Sequence, residues 1–245
     1  MKNRIGWNTG SILVWGMVWL GIGLGVFGRL AAGERAPCPE DPSRSSQSPA
    51  GKEPPSPPAE KRLLPIQAQW GGGPHRNNVL QTGALPTHWQ IGAFDPKTGQ
   101  WDRQEAKNIR WLARLGSQTY GAPVVAGGKV FCGTNNGAGY LARYPASVDL
   151  GCLLAFDAQT GQFLWQLARE KLPTGPAHDW PEVGLCSNPL VEGDRLWVVS
   201  NRGEVLCLDT EGFRDGENDG PYRQEPRTDA HEADIVWIFD MMQQV

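Results

Sequence analysis

Short apolar runs separated by glycine-bearing turns fill the chain from Ala93 onward, and two of these patterns are written twice. Ala93-Phe-Asp-Pro-Lys-Thr-Gly-Gln100 returns as Ala155-Phe-Asp-Ala-Gln-Thr-Gly-Gln162, identical at six of eight positions. A shortened third copy is Cys207-Leu-Asp-Thr-Glu-Gly212. Each predicts a β-hairpin: an apolar strand enters, the Asp carboxylate caps backbone amides two residues on, and Gly takes the positive-φ position. The second pattern, Ala122-Pro-Val-Val-Ala-Gly-Gly-Lys-Val-Phe-Cys-Gly-Thr-Asn-Asn-Gly137, parallels Asn188-Pro-Leu-Val-Glu-Gly-Asp-Arg-Leu-Trp-Val-Val-Ser-Asn-Arg-Gly203. Its Gly127-Gly128 and Gly193-Asp194 pairs are hairpin turns. Chained together, the patterns predict four strands per unit. One four-stranded sheet per repeat predicts an all-β propeller blade, with about two to three blades present. Trp111, Trp165 and Trp237 close successive units and are expected to wedge between adjacent sheets. A two-sheet sandwich would have no reason to repeat its sequence.

The pattern ahead of this region is different. Lys2 and Arg4 precede an uncharged run from Ile5 to Gly28, 24 residues long. As a helix rising about 1.5 Å per residue it spans a hydrocarbon core of roughly 30 Å. Residues 1–32 therefore read as one N-terminal transmembrane anchor or signal helix. Leu30-Ala-Ala32 leaves signal cleavage open as the alternative. The basic start orients the remainder outward, so the expected location is the cell membrane, single-pass, with an extracytoplasmic (periplasmic) main domain, or secreted after cleavage. Gly23-Leu-Gly25-Val-Phe-Gly28 matches a dinucleotide-site spacing, but a proline-rich tract follows where a helix would have to start. Gly21 and Gly25 form a weak helix-pairing motif. From Pro37 to Glu60, eight of 24 residues are Pro and five are Ser. Residues 33–62 thus read as a disordered linker, and 63–245 as the propeller domain.

Composition adds three constraints. Lys and Arg total 23 against 26 Asp and Glu, a net charge of −3, which argues against nucleic acid as a partner. Hydrophobic residues at 40% and charged residues at 20% exclude a wholly disordered chain. Eleven Trp and 31 Gly fit aromatic packing between many tight turns.

The unit P-V-V-x-G-G-x-V-F-x-G-T…G-x-L-x-A-F-D-x-x-T-G-x-x-L-W resembles the PQQ-like β-propeller repeat, a family that includes quinoprotein dehydrogenases and the outer-membrane protein assembly factor BamB. The resemblance runs from about Asn108 to Asp240, and Trp70-Gly-Gly-Gly-Pro-His-Arg-Asn77 is similar to a segment that leads the repeats in some members. It implies a ring of blades, yet insertions at about 138–151, 166–185 and 210–233 interrupt this chain and only two units are complete. Two blades leave open faces, so a longer propeller or an assembly completing the ring between chains is expected.

For the dehydrogenases the resemblance implies a Cys-Cys pair and acidic calcium ligands. Cys38, Cys132, Cys152, Cys186 and Cys207 are all separated, and they lack metal-ligand spacing. Cys132 with Cys152, on adjacent strands, is a candidate disulfide, against the commoner reading of small buried hydrophobes. His75, His88, His178 and His231 are scattered. Asp215, Glu217, Asp219 and Gly220 imitate a calcium loop, but Pro226 stands where the twelfth-position Glu belongs, which favours a solvated acidic loop. No catalytic, cofactor-binding or metal-ligating residue is assigned, and no cofactor is expected. The reading is a non-catalytic scaffold that binds other proteins through propeller loops or faces and the membrane through its N-terminal helix. The alternative is a quinoprotein-type oxidoreductase whose cofactor residues lie outside this chain.

Overall fold

Each repeated unit folds as four adjacent strands. A computed structural model describes residues 67–73, 75–76, 86–175 and 177–244. In chain order the strands are β1 (Ala93–Phe94), β2 (Trp101–Asp102), β3 (Val124–Ala126), β4 (Lys129–Asn135), β5 (Leu150–Asp157), β6 (Phe163–Glu170), β7 (Leu190–Glu192), β8 (Arg195–Val199), β9 (Glu204–Asp209) and β10 (Ile235–Asp240). β1 and β2 form a two-residue ladder, β3-β4-β5-β6 one antiparallel four-stranded sheet, and β7-β8-β9-β10 a second. The expected membrane segment and linker lie outside the described residues. Among the described residues no helix is long and apolar enough to cross a membrane.

The turns obey the expected chemistry. Gly127 and Gly128 both adopt positive φ, at 56° and 75°, which matches the right-handed twist of the strands they join. Asp157 Oδ1 accepts the amides of Gln159 at 3.0 Å and Thr160 at 2.7 Å. Asp95 does the same for Lys97 and Thr98, at 2.8 and 2.7 Å, and Asp209 for Glu211 at 2.6 Å. The first two copies close alike, Gly99 N and Gly161 N each donating to the carbonyl of the turn Asp at 2.8 Å. The third departs from the expected hairpin: after Asp209 the chain enters a short 3-10 helix at Gly212–Arg214 and reaches β10 only at Ile235.

Both sheets are two-sided. Val124, Phe131, Ala155 and Trp165 lie in one cross-strand row of the first sheet, all fully buried, facing Val191, Leu196, Leu206, Leu208 and Ile235 of the second. The opposite face of the first sheet, with Val130, Leu150, Cys152, Leu154 and Phe156, packs under Trp111, Tyr140 and Phe163. Because both faces are covered, β5 and β6 read as near-continuous apolar runs. That explains a difference from the expected insertions: β5 already starts at Leu150, and β6 continues to Glu170, with Gln166 and Leu167 paired to Leu154 and Leu153.

Edges are covered as well. Gln67 exchanges two hydrogen bonds with Val125 on β3, at 2.9 and 3.0 Å, while Ala68 O accepts the Val191 amide of β7 at 2.8 Å. On the far side of the first sheet, residues 231–233 run along β6: Gln166 N donates to His231 O and Ala233 N to Gln166 O, each at 3.0 Å. An insertion read only as an interruption therefore contributes an isolated parallel bridge, Glu232 opposite Gln166, that covers part of this edge.

The tryptophans dock by a shared rule. Trp165 donates its indole N–H to Thr210 O at 3.1 Å, and Trp111 donates to Ala158 O at 3.0 Å. Each acceptor is the residue just after the turn Asp. Each ring also lies on the turn glycine: a Cβ on Gly161 would stand 2.5 Å from the Trp111 ring, and one on Gly212 3.0 Å from Trp165. Only a glycine admits the indole there. Trp237 departs from the expectation. It pairs with Cys207 as Trp165 pairs with Ala155, each beyond a one-residue bulge, yet it is 36% exposed and not wedged, because no further sheet among the described residues faces it.

The disulfide candidate is corrected. Cys132 and Cys152 are free and buried. The register sets Cys132 opposite Leu154 and Cys152 opposite Thr134, which makes the two cysteines diagonal neighbours. Diagonal partners stand about 7–8 Å apart, beyond the reach of a disulfide. Burial pushes both thiols up to about 12, so they pack as small apolar groups.

Candidate interaction surface

One end of the two sheets gathers the loops 116–122, 136–149, 171–189 and 200–203. The first three are tied to one another through the end of β4, and the last is tied to the third through Asn201 and Arg202. Asn135 is the hub. Its Oδ1 accepts the amides of Ser117 at 3.0 Å and Gly137 at 2.9 Å, while its Nδ2 donates to Ser117 Oγ at 2.7 Å and to Glu182 O. Thr134 beside it accepts from Gly116 N, donates to Gln118 O, both at 2.9 Å, and holds the Leu185 amide through its carbonyl. Asp149 Oδ2 accepts the Glu182 amide at 2.7 Å. These loops have no regular ladder, so side-chain amides and hydroxyls satisfy their backbone.

A second knot holds the long loop. Asp179, buried, accepts from Leu172 N at 2.9 Å and Asn201 Nδ2 at 2.8 Å, and pairs with Lys171 at 2.5 Å. Burial works to raise its carboxyl, but the Lys171, Asn201 and Leu172 hydrogen bonds outweigh that and hold it below the ordinary aspartate value. Lys171 Nζ also donates to Trp180 O at 2.7 Å. The backbone is pinned while the side chains project: Tyr120 is 67% and Trp180 69% exposed. Large aromatics on fastened loops lose little entropy when a partner covers them, which is the character of a binding anchor.

Neither aromatic stood out in the sequence, where Trp signalled packing. A signal did exist. His178-Asp-Trp180-Pro lies in a polar insertion, away from any alternating strand, and Tyr120 precedes Gly121-Ala-Pro, outside both strand patterns.

The residues considered for metal do not converge. Asp215 Oδ1 caps the Glu217 amide at 2.9 Å, whereas Asp219 pairs with Arg195 Nη2 at 2.8 Å and donates its amide to Asp234 Oδ2 at 2.7 Å. His75, His88, His178 and His231 are each exposed. The residues present do not fit a quinone held with calcium. The described cysteines are separate free thiols, and no group of three His, Cys, Asp or Glu among the described residues is placed to share an ion.

Asp234 is the most displaced carboxyl in this acidic neighbourhood. Burial raises it to about 6; the Asp219 amide pulls it down, while Glu225, Asp219 and Asp209 push it further up. Its Oδ1 has no hydrogen-bond partner. Between the ordinary aspartate value and about pH 6 the folded chain keeps a proton that the unfolded chain has released. This group's contribution to stability therefore falls as pH rises through that window. Asp234→Asn should flatten the slope of Tm between about pH 4 and 6 and raise Tm at pH 7, as read by thermal unfolding at each pH.

The fold and surface define a class: antiparallel four-stranded sheets docked face to face by tryptophan, the blade arrangement of a β-propeller repeat. The family profile described as "Outer membrane protein assembly factor BamB" matches residues 95–218, about half of the chain. The chain belongs to this PQQ-like repeat family. No curated protein matches it. Among solved structures it is similar to a europium-containing methanol dehydrogenase, at 18% identity and a TM-score of 0.30, over 56% of this chain and 19% of that one. It is also similar to BamB from Moraxella catarrhalis, at 16% identity and a TM-score of 0.23, over 52% of this chain and 34% of that one. The chain thus spans about a fifth and about a third of those two lengths.

Proposed function

We propose that the chain is a non-catalytic docking platform. The 1–32 segment tethers it to the membrane, the 33–62 tract holds the repeat domain off the surface on the extracytoplasmic side, and the loop end of the sheets binds a protein partner. The observation carrying this reading is the pairing of hydrogen-bonded loops with outward aromatics at Tyr120 and Trp180. Membership in a family described as an outer membrane protein assembly factor supports a protein partner over a small substrate. The test is capture of envelope proteins by the full-length chain, alongside a Tyr120→Ala/Trp180→Ala variant. A protein retained by the unaltered chain should bind the variant at least tenfold more weakly in titration, with Tm unchanged within about 2 °C, since both side chains are already in water. Equal retention by both chains would place the docking surface elsewhere.

A further inference from the structure

The chain leaves its sheet after Asp209 and returns at Ile235, and the middle of this excursion is fastened back onto the start of β10. Asp219 N donates to Asp234 Oδ2 at 2.7 Å, Tyr222 N to Val236 O at 3.2 Å, and Ile235 N to Glu225 Oε1 at 3.3 Å. Gly220, at φ 67°, lies so close to Val236 that a Cβ there would stand 2.4 Å from its side chain. Val236 is the bulged residue of β10 and has no partner on β9. Residues 219–225 therefore strap an irregular stretch of an edge strand.

Like charges meet at this fastening. Asp234 is 1% exposed, and its Oδ1 is shut from solvent without a hydrogen-bond partner. Three more carboxylates act on it: Asp209 from β9, and Asp219 and Glu225 from the strap itself. Asp215, earlier in the excursion, adds its charge to Asp209. Arg195 on β8 is the cation of the junction, and it is already shared. It pairs with Asp209 at 2.5 Å and Asp219 at 2.8 Å, and reaches Asp194 at 3.7 Å. Among the described residues no cation pairs with Asp234. Asn218 Oδ1, beside Asp219, is a second buried oxygen without a partner. A buried carboxyl with no cation of its own, facing other carboxylates, is favoured in its neutral form. Two of those facing groups ride on the strap, so lifting it withdraws their charge and lets water reach Asp234.

We propose that residues 219–225 are a proton-operated strap: a proton on Asp234 fastens them to the edge of β10, and loss of that proton releases them. Release frees the Val236 carbonyl and the Ile235 amide, which extends the open edge of the sheet. The fastened state holds the proton more tightly than the lifted state. Fastening therefore weakens as pH rises from the ordinary aspartate value to about 6, and is level above that. The device is separate from the loops that carry Tyr120 and Trp180.

Site-resolved hydrogen exchange of the full-length chain, corrected for the intrinsic effect of pH, tests the strap. From about pH 4.5 to about pH 7, protection of the Asp219, Tyr222 and Ile235 amides should fall roughly tenfold or more. That fall should exceed any in the amides of β4 and β5. Asp234→Asn keeps an acceptor for Asp219 and cannot ionise, so it should hold the strap at both pH values. Glu225→Gln keeps the acceptor for Ile235 but removes one facing charge, and should move the midpoint of loosening to lower pH. Equal protection at both pH values in the unaltered chain would overturn the proposal. So would a fall in Asp234→Asn as large as in the unaltered chain, or a midpoint that Glu225→Gln leaves in place. Circular dichroism confirms that both variants are folded.

Discussion

Trp165→Ala should lower stability by about 3–5 kcal/mol, the usual loss for a fully buried large aromatic. The ring is fully buried and joins both sheets, touching Phe131 at a centroid distance of 5.8 Å on its own side and lying over Gly212 on the other. Its removal opens a cavity at the seam and takes from the Thr210 carbonyl its indole donor. For a folded region of this size each kcal/mol corresponds to about 2–4 °C, so Tm should fall by roughly 6–20 °C. Calorimetry would check both the shift and its cooperativity. The seam has further ties: Lys129 pairs with Glu211, and Arg169 makes a forked pair with Glu204. These lie toward its two ends and cannot replace the centre. A loss below 1 kcal/mol would mean the sheets do not depend on each other for stability.

Asn135→Ala should cost less in total but act more widely, at about 2–4 kcal/mol. Alanine removes the buried side chain that the part-buried amides of Ser117 and Gly137 and the carbonyl of Glu182 bond to. The loops carrying Tyr120 and Trp180 would both loosen, because each is fastened at the end of β4. Hydrogen exchange should therefore accelerate across 116–121 and 180–187 while the strand amides of β4 and β5 stay protected. Partner binding should weaken with it, through the entropy of loops that must be ordered again. Asn135→Asp tests the mechanism. It keeps the two acceptor bonds but loses both donations, and should fall between the two.

Local rules were legible in the sequence wherever a residue's role is decided by its near neighbours. Asp95, Asp157 and Asp209 cap their own turns, Gly127-Gly128 reverses the chain, and the four-strand order follows from the spacing of apolar runs. Matching of the two repeats also placed Trp165 in the seam. Tertiary structure decided whatever depends on distant chain. It set residues 231–233 as a bridge along β6, brought 67–68 to the inner strands, and made Asn135 a hub for three loops, since a hydrogen bond across dozens of residues leaves no periodic trace. It separated Cys132 from Cys152 by a register offset that adjacency in the strand order does not reveal. Trp165 and Trp237 occupy the same place in the repeat, and only the presence of a neighbouring sheet makes one a core residue and the other a surface. Burial is a property of what packs against a side chain, and the sequence names the side chain alone.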